Sequence, residues 1–260
     1  LRLTADPRDP LLADFADLVD ADVRADRRGV VIAEGVNVVE RLIRSPYAVR
    51  AIIGVEAKLA ALEPVLATVE APVYCLDKWA LSELVGFRVT RGILASADRP
   101  PARDAAELVA AGRRFAVLEG INDFENLGSL FRNAAAFGLD AVLLDPRCAD
   151  PLYRRSVRVS MGHIFGMPFA TLEEPWPRSL SILAERDVAV LAMTPRAAAR
   201  PLREVPPPPR WAVLLGAEGP GLSEAALAAA DQWVRIPMAD GVDSLNIATA
   251  GAVAFAALST

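Results

Sequence analysis

Three segments of this 260-residue sequence carry polar side chains at spacings that suit chemistry. The first holds Asn122, Asn126 and Arg132 on a helix that opens directly after a strand, with Gly128 in its first turn. Helical periodicity sets Leu127, Leu130, Phe131 and Ala134 on or beside one face, so Arg132 projects elsewhere. A cation near a helix start is disfavoured by the macrodipole and needs a partner, either a phosphate or a carboxylate such as Glu125 or Asp145. The second is the glycine-rich turn of Gly216, Gly219 and Gly221, with Glu218 inside it, directly after the apolar run 211–215. Small residues there leave main-chain groups open to a ligand at the carboxyl edge of a sheet, although a tight strand–helix turn has the same composition. In the third, Ser244 and Asn246 stand at the mouth of an apolar, small-residue helix. Asp243 or Ser244 suits its N-cap, which leaves Asn246 either hydrogen-bonded in the core or part of a site.

Other chemistries are excluded. The sequence has neither the phosphate-loop pattern ending in Gly-Lys-Ser/Thr nor a Gly-x-Gly-x-x-Gly turn after a strand. Cys75 and Cys148 are isolated and His163 is the single histidine, so no zinc-ligand spacing can be assembled and no metal is expected. Ser-His-Asp and Cys-His mechanisms go too unless His163 is the base, and it reads as a packing or surface residue. Two cysteines without a framework fit a reducing, cytoplasmic setting. Arg2, Asp6, Arg8 and Asp9 rule out the apolar core of a signal peptide. The longest uncharged stretch, 244–260, is shorter than a membrane span of roughly 20 residues and reads as a buried helix.

Net charge is −5, which argues mildly against a nucleic-acid partner, but local clustering decides such contacts. Arg147, Arg154, Arg155 and Arg158 form one cluster; Arg24, Arg27, Arg28, Arg41 and Arg44 form another. Either reads as a solvated face or as an RNA contact.

The elements that must position these groups follow from periodicity. Leu11, Leu12, Phe15, Leu18 and Val19 recur at helical spacing and predict an amphipathic opening helix. Strands at 30–33, 49–54, 73–76 and 92–96 alternate with helices at 34–44, 57–69 (broken at Pro64) and 78–85, which implies a small α/β domain over 1–98. A Pro-rich break at 98–103 and a short helix from Asp104 to its stop at Gly112 form a connecting segment over 99–112. Apolar runs at 115–119, 141–145, 188–193 and 211–215 suit a doubly covered parallel sheet in a second α/β domain over 113–260. Its helices are expected at 127–137, 178–185, 224–230 and 245–258, and 195–210, with six prolines, is expected to be an extended loop.

The three segments, in this order, resemble the three motifs of the SpoU (TrmH-type) branch of the SPOUT RNA methyltransferases. Asn122 and Asn126-Leu-Gly with Arg132 resemble the first motif, the run from Leu214 to Leu222 with Ile236-Pro-Met238 the second, and Ser244 to Ala248 the third. Asp150-Pro and the run from Val157 to Gly162 also match the family pattern. More loosely, the run from Ile32 to Val39 is similar to the ribosomal-protein-L30e-like RNA-binding domain these enzymes often carry.

The resemblance implies a C-terminal α/β-knot domain, with a mostly parallel sheet and a deep trefoil knot, behind a small L30e-like domain. It implies S-adenosylmethionine held by main chain around Leu214, Leu215, Gly216, Gly219, Ile236, Met238, Ser244 and Leu245. It implies catalysis by Arg132, with Asn126, Glu218, Ser244 and Asn246 holding the site, and a homodimer through the knot domain and the last helix. The implied partner is RNA, rRNA before tRNA, touched by Arg27, Arg28, Arg41, Arg44, Arg154, Arg155 and Arg158. Against it stand a non-catalytic RNA-binding or ribosome-assembly protein on the same fold, and a nucleotide-binding enzyme of another class, which lacks its fingerprint here.

Overall fold

The computed structural model describes residues 2–4, 10–20 and 29–259. In chain order the strands and helices are β1 (Arg2–Thr4), β2 (Val30–Glu34), α1 (Val36–Ile43), β3 (Val49–Gly54), α2 (Glu56–Ala61), α3 (Glu63–Leu66), β4 (Val73–Cys75), α4 (Lys78–Val85) and β5 (Ile93–Asp98). There follow α5 (Ala105–Ala111), β6 (Arg114–Glu119), α6 (Phe124–Ala136), β7 (Ala141–Leu144), α7 (Arg154–Val159), β8 (Phe169–Thr171) and α8 (Ser181–Ala184). The chain closes with β9 (Ala189–Met193), β10 (Arg200–Pro201), β11 (Trp211–Gly216), α9 (Glu224–Ala229), β12 (Gln232–Arg235) and α10 (Ile247–Leu258).

The chain divides into two compact units. One comprises Leu1–Pro101 with Leu152–Gly166, the other Ala102–Pro151 with Met167–Thr260. The first has a five-stranded sheet in the order β1-β4-β3-β5-β2. Pro64 sits in the first turn of α3, where its missing N–H costs nothing, so the expected break becomes two short helices. Asp77 caps α4 by accepting from the Trp79 and Ala80 amides, and Gly86 ends it in the left-handed region.

Two expectations are corrected in this unit. The opening helix is instead a pair of 3₁₀ turns, Pro10–Phe15 and Leu18–Asp20. Leu12, Phe15 and Leu18 are all buried, and a spacing of three aligns in a 3₁₀ turn but fans out around an α-helix. Asp17, at φ 48, separates the turns. The second correction concerns 152–166, which lies in the middle of the expected C-terminal domain but belongs to the first unit. A buried ion pair holds it there: Arg154 donates at 2.9 Å to Glu34, whose side chain is 4% exposed, while its guanidinium lies 4.7 Å from the centre of the Phe87 ring. Gly162, at φ +79, packs against Val38 and Arg41 with no room for a side chain to spare.

The second unit is built on seven strands in the order β10-β12-β9-β11-β6-β7-β8, every neighbouring pair parallel. Every residue of β11 is buried, as a central parallel strand covered on both faces requires. The proline-rich 195–210 stretch is not wholly irregular, since it contains β10 and a 3₁₀ turn at Leu202–Glu204. β6 and β11 lie side by side, with Gly216 paired to Glu119 at their carboxyl ends. Strand order changes direction there, and ligands of open α/β sheets bind at such points.

Candidate active site

The carboxyl edge of β11 runs straight into the glycine-rich turn. Gly221 N donates to Ala217 O at 2.9 Å, closing the turn on itself. Gly219 and Gly221 have φ of +85 and +70, which favours glycine at both. Gly216 is small for another reason: a Cβ there would run into the main chain of Gly221 and Leu222. Closure of the turn therefore requires glycine at 216.

Asn246 is the N-cap of α10, its Oδ1 accepting from Ala248 N at 3.0 Å and Thr249 N at 3.2 Å. Neither Asp243 nor Ser244 takes that place. The same side chain turns its Nδ2 outward and donates to Asn126 Oδ1 and Glu218 Oε1, both at 2.8 Å. One amide thus satisfies a helix end with its oxygen and joins the first and second motifs with its nitrogen. Ile247 N adds a longer bond to Glu218 Oε1 at 3.3 Å. Asn126 is held from below, because Asp123 caps α6 and accepts from the Asn126 amide at 2.7 Å. The two helices stay in register through Asn133 Nδ2, which donates to Ala248 O at 2.8 Å. Gly251 allows the close packing, since a Cβ there would meet Leu130 at 2.7 Å.

Beside this cluster opens a cavity of about 540 Å³. Of the expected cofactor residues, Leu215, Gly216, Gly219, Ile236, Met238, Ser244 and Leu245 line it, together with Glu218 and Asn246. Leu214 does not. Its side chain is fully buried in the core, and its residue pairs with both neighbouring strands. Met193, Thr194 and Pro195 also line the cavity; their position at the carboxyl end of β9 was the signal available for finding them.

Arg132 stands apart. It is exposed, forms no hydrogen bond or ion pair with a described residue, and is not among the cavity-lining residues. Six residues beyond Asn126, it lies about 120° round the helix and about 9 Å further along. The ion-pair alternative with Asp145 is closed, because that carboxylate already serves Gly120 N and Arg147.

A second polar cluster went unanticipated. Glu119, 3% exposed at the end of β6, accepts from Ser223 N at 2.9 Å, Ser223 Oγ at 2.7 Å, Trp176 Nε1 at 2.7 Å and Arg147 at 3.2 Å. Ser223 is also the N-cap of α9, so Glu119 anchors the downstream end of the glycine-rich turn. Burial, with the Asp145 carboxylate nearby, pushes the neighbouring Cys148 thiol up to about 12.

The cations proposed for RNA contact fare unevenly. Arg27 and Arg28, like Arg24, lie outside the described residues. Arg154 is committed to Glu34, which Arg158 also approaches at 4.0 Å. Arg41 donates to Met161 O and Arg44 to Glu40. Arg155 is exposed. Among the described residues no group of His, Cys, Asp or Glu could hold a metal ion, and no helix is long and apolar enough to cross a membrane.

Comparison with known proteins matches this site to a family. Residues 113–256 match the SpoU rRNA Methylase family, a span that includes all three motifs. An uncharacterized tRNA/rRNA methyltransferase, Rv0881, of Mycobacterium tuberculosis is 49% identical over 96% of this chain and 88% of its own. The 23S rRNA (guanosine(2553)-2′-O)-methyltransferase RlmP of Bacillus subtilis is 28% identical over 85% of both chains. In fold, the chain is similar to the AdoMet-bound rRNA methyltransferase of Sinorhizobium meliloti, with a TM-score of 0.82 at 21% identity over 99% of this chain and 97% of that one. With the match covering more than half its length and residues of the second and third motifs lining one cavity, the chain belongs to the SpoU rRNA methylase family.

Proposed function

We propose that this chain transfers a methyl group from S-adenosylmethionine to a ribose 2′-hydroxyl of ribosomal RNA. The observation that carries the reading is the Asn126–Asn246–Glu218 cluster at the rim of the cavity, joining all three motifs. Relatives support it. RlmP is named as a 23S rRNA 2′-O-methyltransferase, and the Sinorhizobium protein as an AdoMet-bound rRNA methyltransferase.

The residues present fit the cofactor. A cavity of about 540 Å³ falls in the range of about 300–1,000 Å³ typical of small-molecule sites. Apolar Leu215, Ile236, Met238 and Leu245 suit an adenine ring, while Glu218, Ser244 and Asn246 suit the hydroxyls and charged end of the molecule. When bound, S-adenosylmethionine supplies a methyl group on a cationic sulfur. Glu218, fixed by Asn246, holds the polar rim in place, and Asn126 orients the ribose. Arg132 stays protonated at any usual pH, so it serves as a clamp rather than a base. It grips the phosphate beside the target ribose with paired hydrogen bonds and stabilises the alkoxide as it develops, with a phosphate oxygen taking the proton.

The reading extends to a cytoplasmic homodimer packed through the C-terminal domain and α10, with the trefoil knot implied by the motifs. Val253 on α10, Leu245 and Val242 are exposed large apolar residues, which such an interface would cover. The decisive experiment is transfer of a labelled methyl from S-adenosylmethionine to total rRNA and total tRNA, with the modified position mapped. Label in rRNA at a 2′-oxygen is expected. Label confined to tRNA would move the substrate assignment, and no label with cofactor bound would leave an RNA-binding protein on the same fold.

A further inference from the structure

We infer that Arg147 is a positioning residue for S-adenosylmethionine: by holding two buried carboxylates together, it fixes both ends of the glycine-rich turn that lines the cavity. This rests on the methyl-transfer reading above. Glu119 ends β6, and Asp145 follows β7 directly, one step beyond the paired Leu118 and Leu144. Asp145 N donates to Leu118 O at 2.9 Å, which continues the ladder. That register sends the two side chains to the same face of the sheet. Both residues are buried, so two like charges stand side by side away from water. A single guanidinium nitrogen of Arg147 lies 3.2 Å from Glu119 Oε1 and 3.0 Å from Asp145 Oδ2. Among the described residues it is the one cation that pairs with either.

Each carboxylate holds one end of the turn. Glu119 accepts from the Ser223 amide and hydroxyl at the downstream end. Asp145 accepts from Gly120 N at 3.1 Å. Gly120, at φ +66, sits where a side chain would touch Ala217, whose carbonyl closes the turn at its upstream end. Ala217, Glu218, Gly219, Gly221 and Leu222, between these anchors, all line the cavity. The other ionisable groups of this corner do not offset the two anions. Glu224, beside Ser223, is paired with Arg196; Glu174, which accepts from the Trp176 amide, is exposed; and the Cys148 thiol, pushed up to about 12, is neutral. The Arg147 side chain is itself 60% exposed, so replacing it opens no hole in the core. What is lost is the counter-charge. Two buried like charges without one repel and move apart, and each takes an end of the turn with it.

The test is calorimetric titration of the full chain with S-adenosylmethionine, at a temperature where circular dichroism shows every variant folded. Arg147→Gln is expected to weaken binding about tenfold, and in turnover to raise KM for S-adenosylmethionine more than it lowers kcat. Arg147→Lys keeps the charge and should stay within about threefold of wild type. The double variant Arg147→Gln/Asp145→Asn removes one anion along with the cation, while the amide oxygen still accepts from Gly120 N. It should bind better than Arg147→Gln alone, a recovery that a simple lost contact does not give. Wild-type affinity in Arg147→Gln, a double variant no better than the single, or a loss confined to RNA affinity would overturn the assignment. Should Arg147→Gln not fold, the other two variants decide: near-normal affinity in both upholds it, and weak binding by both overturns it. If wild type binds S-adenosylmethionine and Arg147→Gln matches it, only the role of Arg147 falls; if wild type binds none, the functional reading falls first.

Discussion

Two carboxylates stand at the carboxyl edge of the same sheet, and their surroundings differ. Glu119 is buried and surrounded by four donors from Ser223, Trp176 and Arg147. Glu218 is exposed, bound by one side-chain amide and a longer main-chain contact. A buried anion so fully satisfied fixes the position of chain segments, and moving it costs stability. An open one keeps acceptor capacity for an incoming molecule. Family motifs mark only the second, yet the first determines where the glycine-rich turn ends.

Substitution should separate the two corners. Glu119→Ala leaves the Trp176 indole and the Ser223 amide without an acceptor and should cost about 3 kcal/mol of stability, read from urea unfolding. An unchanged midpoint would dissolve the contrast. Glu218→Gln keeps the shape but removes the charge. It should lower methyl transfer about tenfold, roughly 1.4 kcal/mol in the barrier, with little shift in melting temperature. Within the open corner, Asn246→Ser sharpens the division further. Serine still caps α10 but cannot bridge Asn126 and Glu218, so kcat should fall severalfold while stability changes by less than about 0.5 kcal/mol. Gly219→Ala meets no neighbour but forces a left-handed residue, which should cost about 1 kcal/mol. Gly216→Ala, which collides with main chain, should cost more.

The smallest effect lies beside Glu119. The folded Cys148 thiol titrates near 12, against an ordinary value of 9.0. A raised value in the folded state means that its contribution is complete below about pH 9 and drains away as pH climbs toward 12. Cys148→Ala should therefore flatten the alkaline limb of a stability–pH curve and leave the neutral region with a constant offset.

Much of this was legible in the sequence where periodicity and punctuation agreed. The strand at 49–54 and the helix at 78–85 stand at their expected limits, because β-branched runs and the Asp77 and Gly86 caps leave little choice. The opening segment misled because Leu12, Phe15 and Leu18 satisfy a spacing of three as well as a helical one. Short strands such as β8 and β12 carry too few residues for a pattern. In the site, polar residues beside glycines or at a helix mouth announced Asn126, Glu218 and Asn246. The double duty of Asn246 did not show, because its nitrogen's partners lie 28 and 120 residues away. Glu119 was hidden for the same reason: at the end of an apolar strand it reads as a boundary, and its donors come from three distant segments.

The excursion of Leu152–Gly166 into the first unit governs how this molecule can be taken apart. A gene fragment ending at the proline-rich break near 101 would strip from β2 both the guanidinium that pairs with Glu34 and the helix α7 that packs on the strand. Its complement would carry a fifteen-residue insert stripped of the surface it was shaped to cover. Dissection by simple truncation is thus closed to this chain, and an isolated N-terminal half would need the missing peptide supplied in trans.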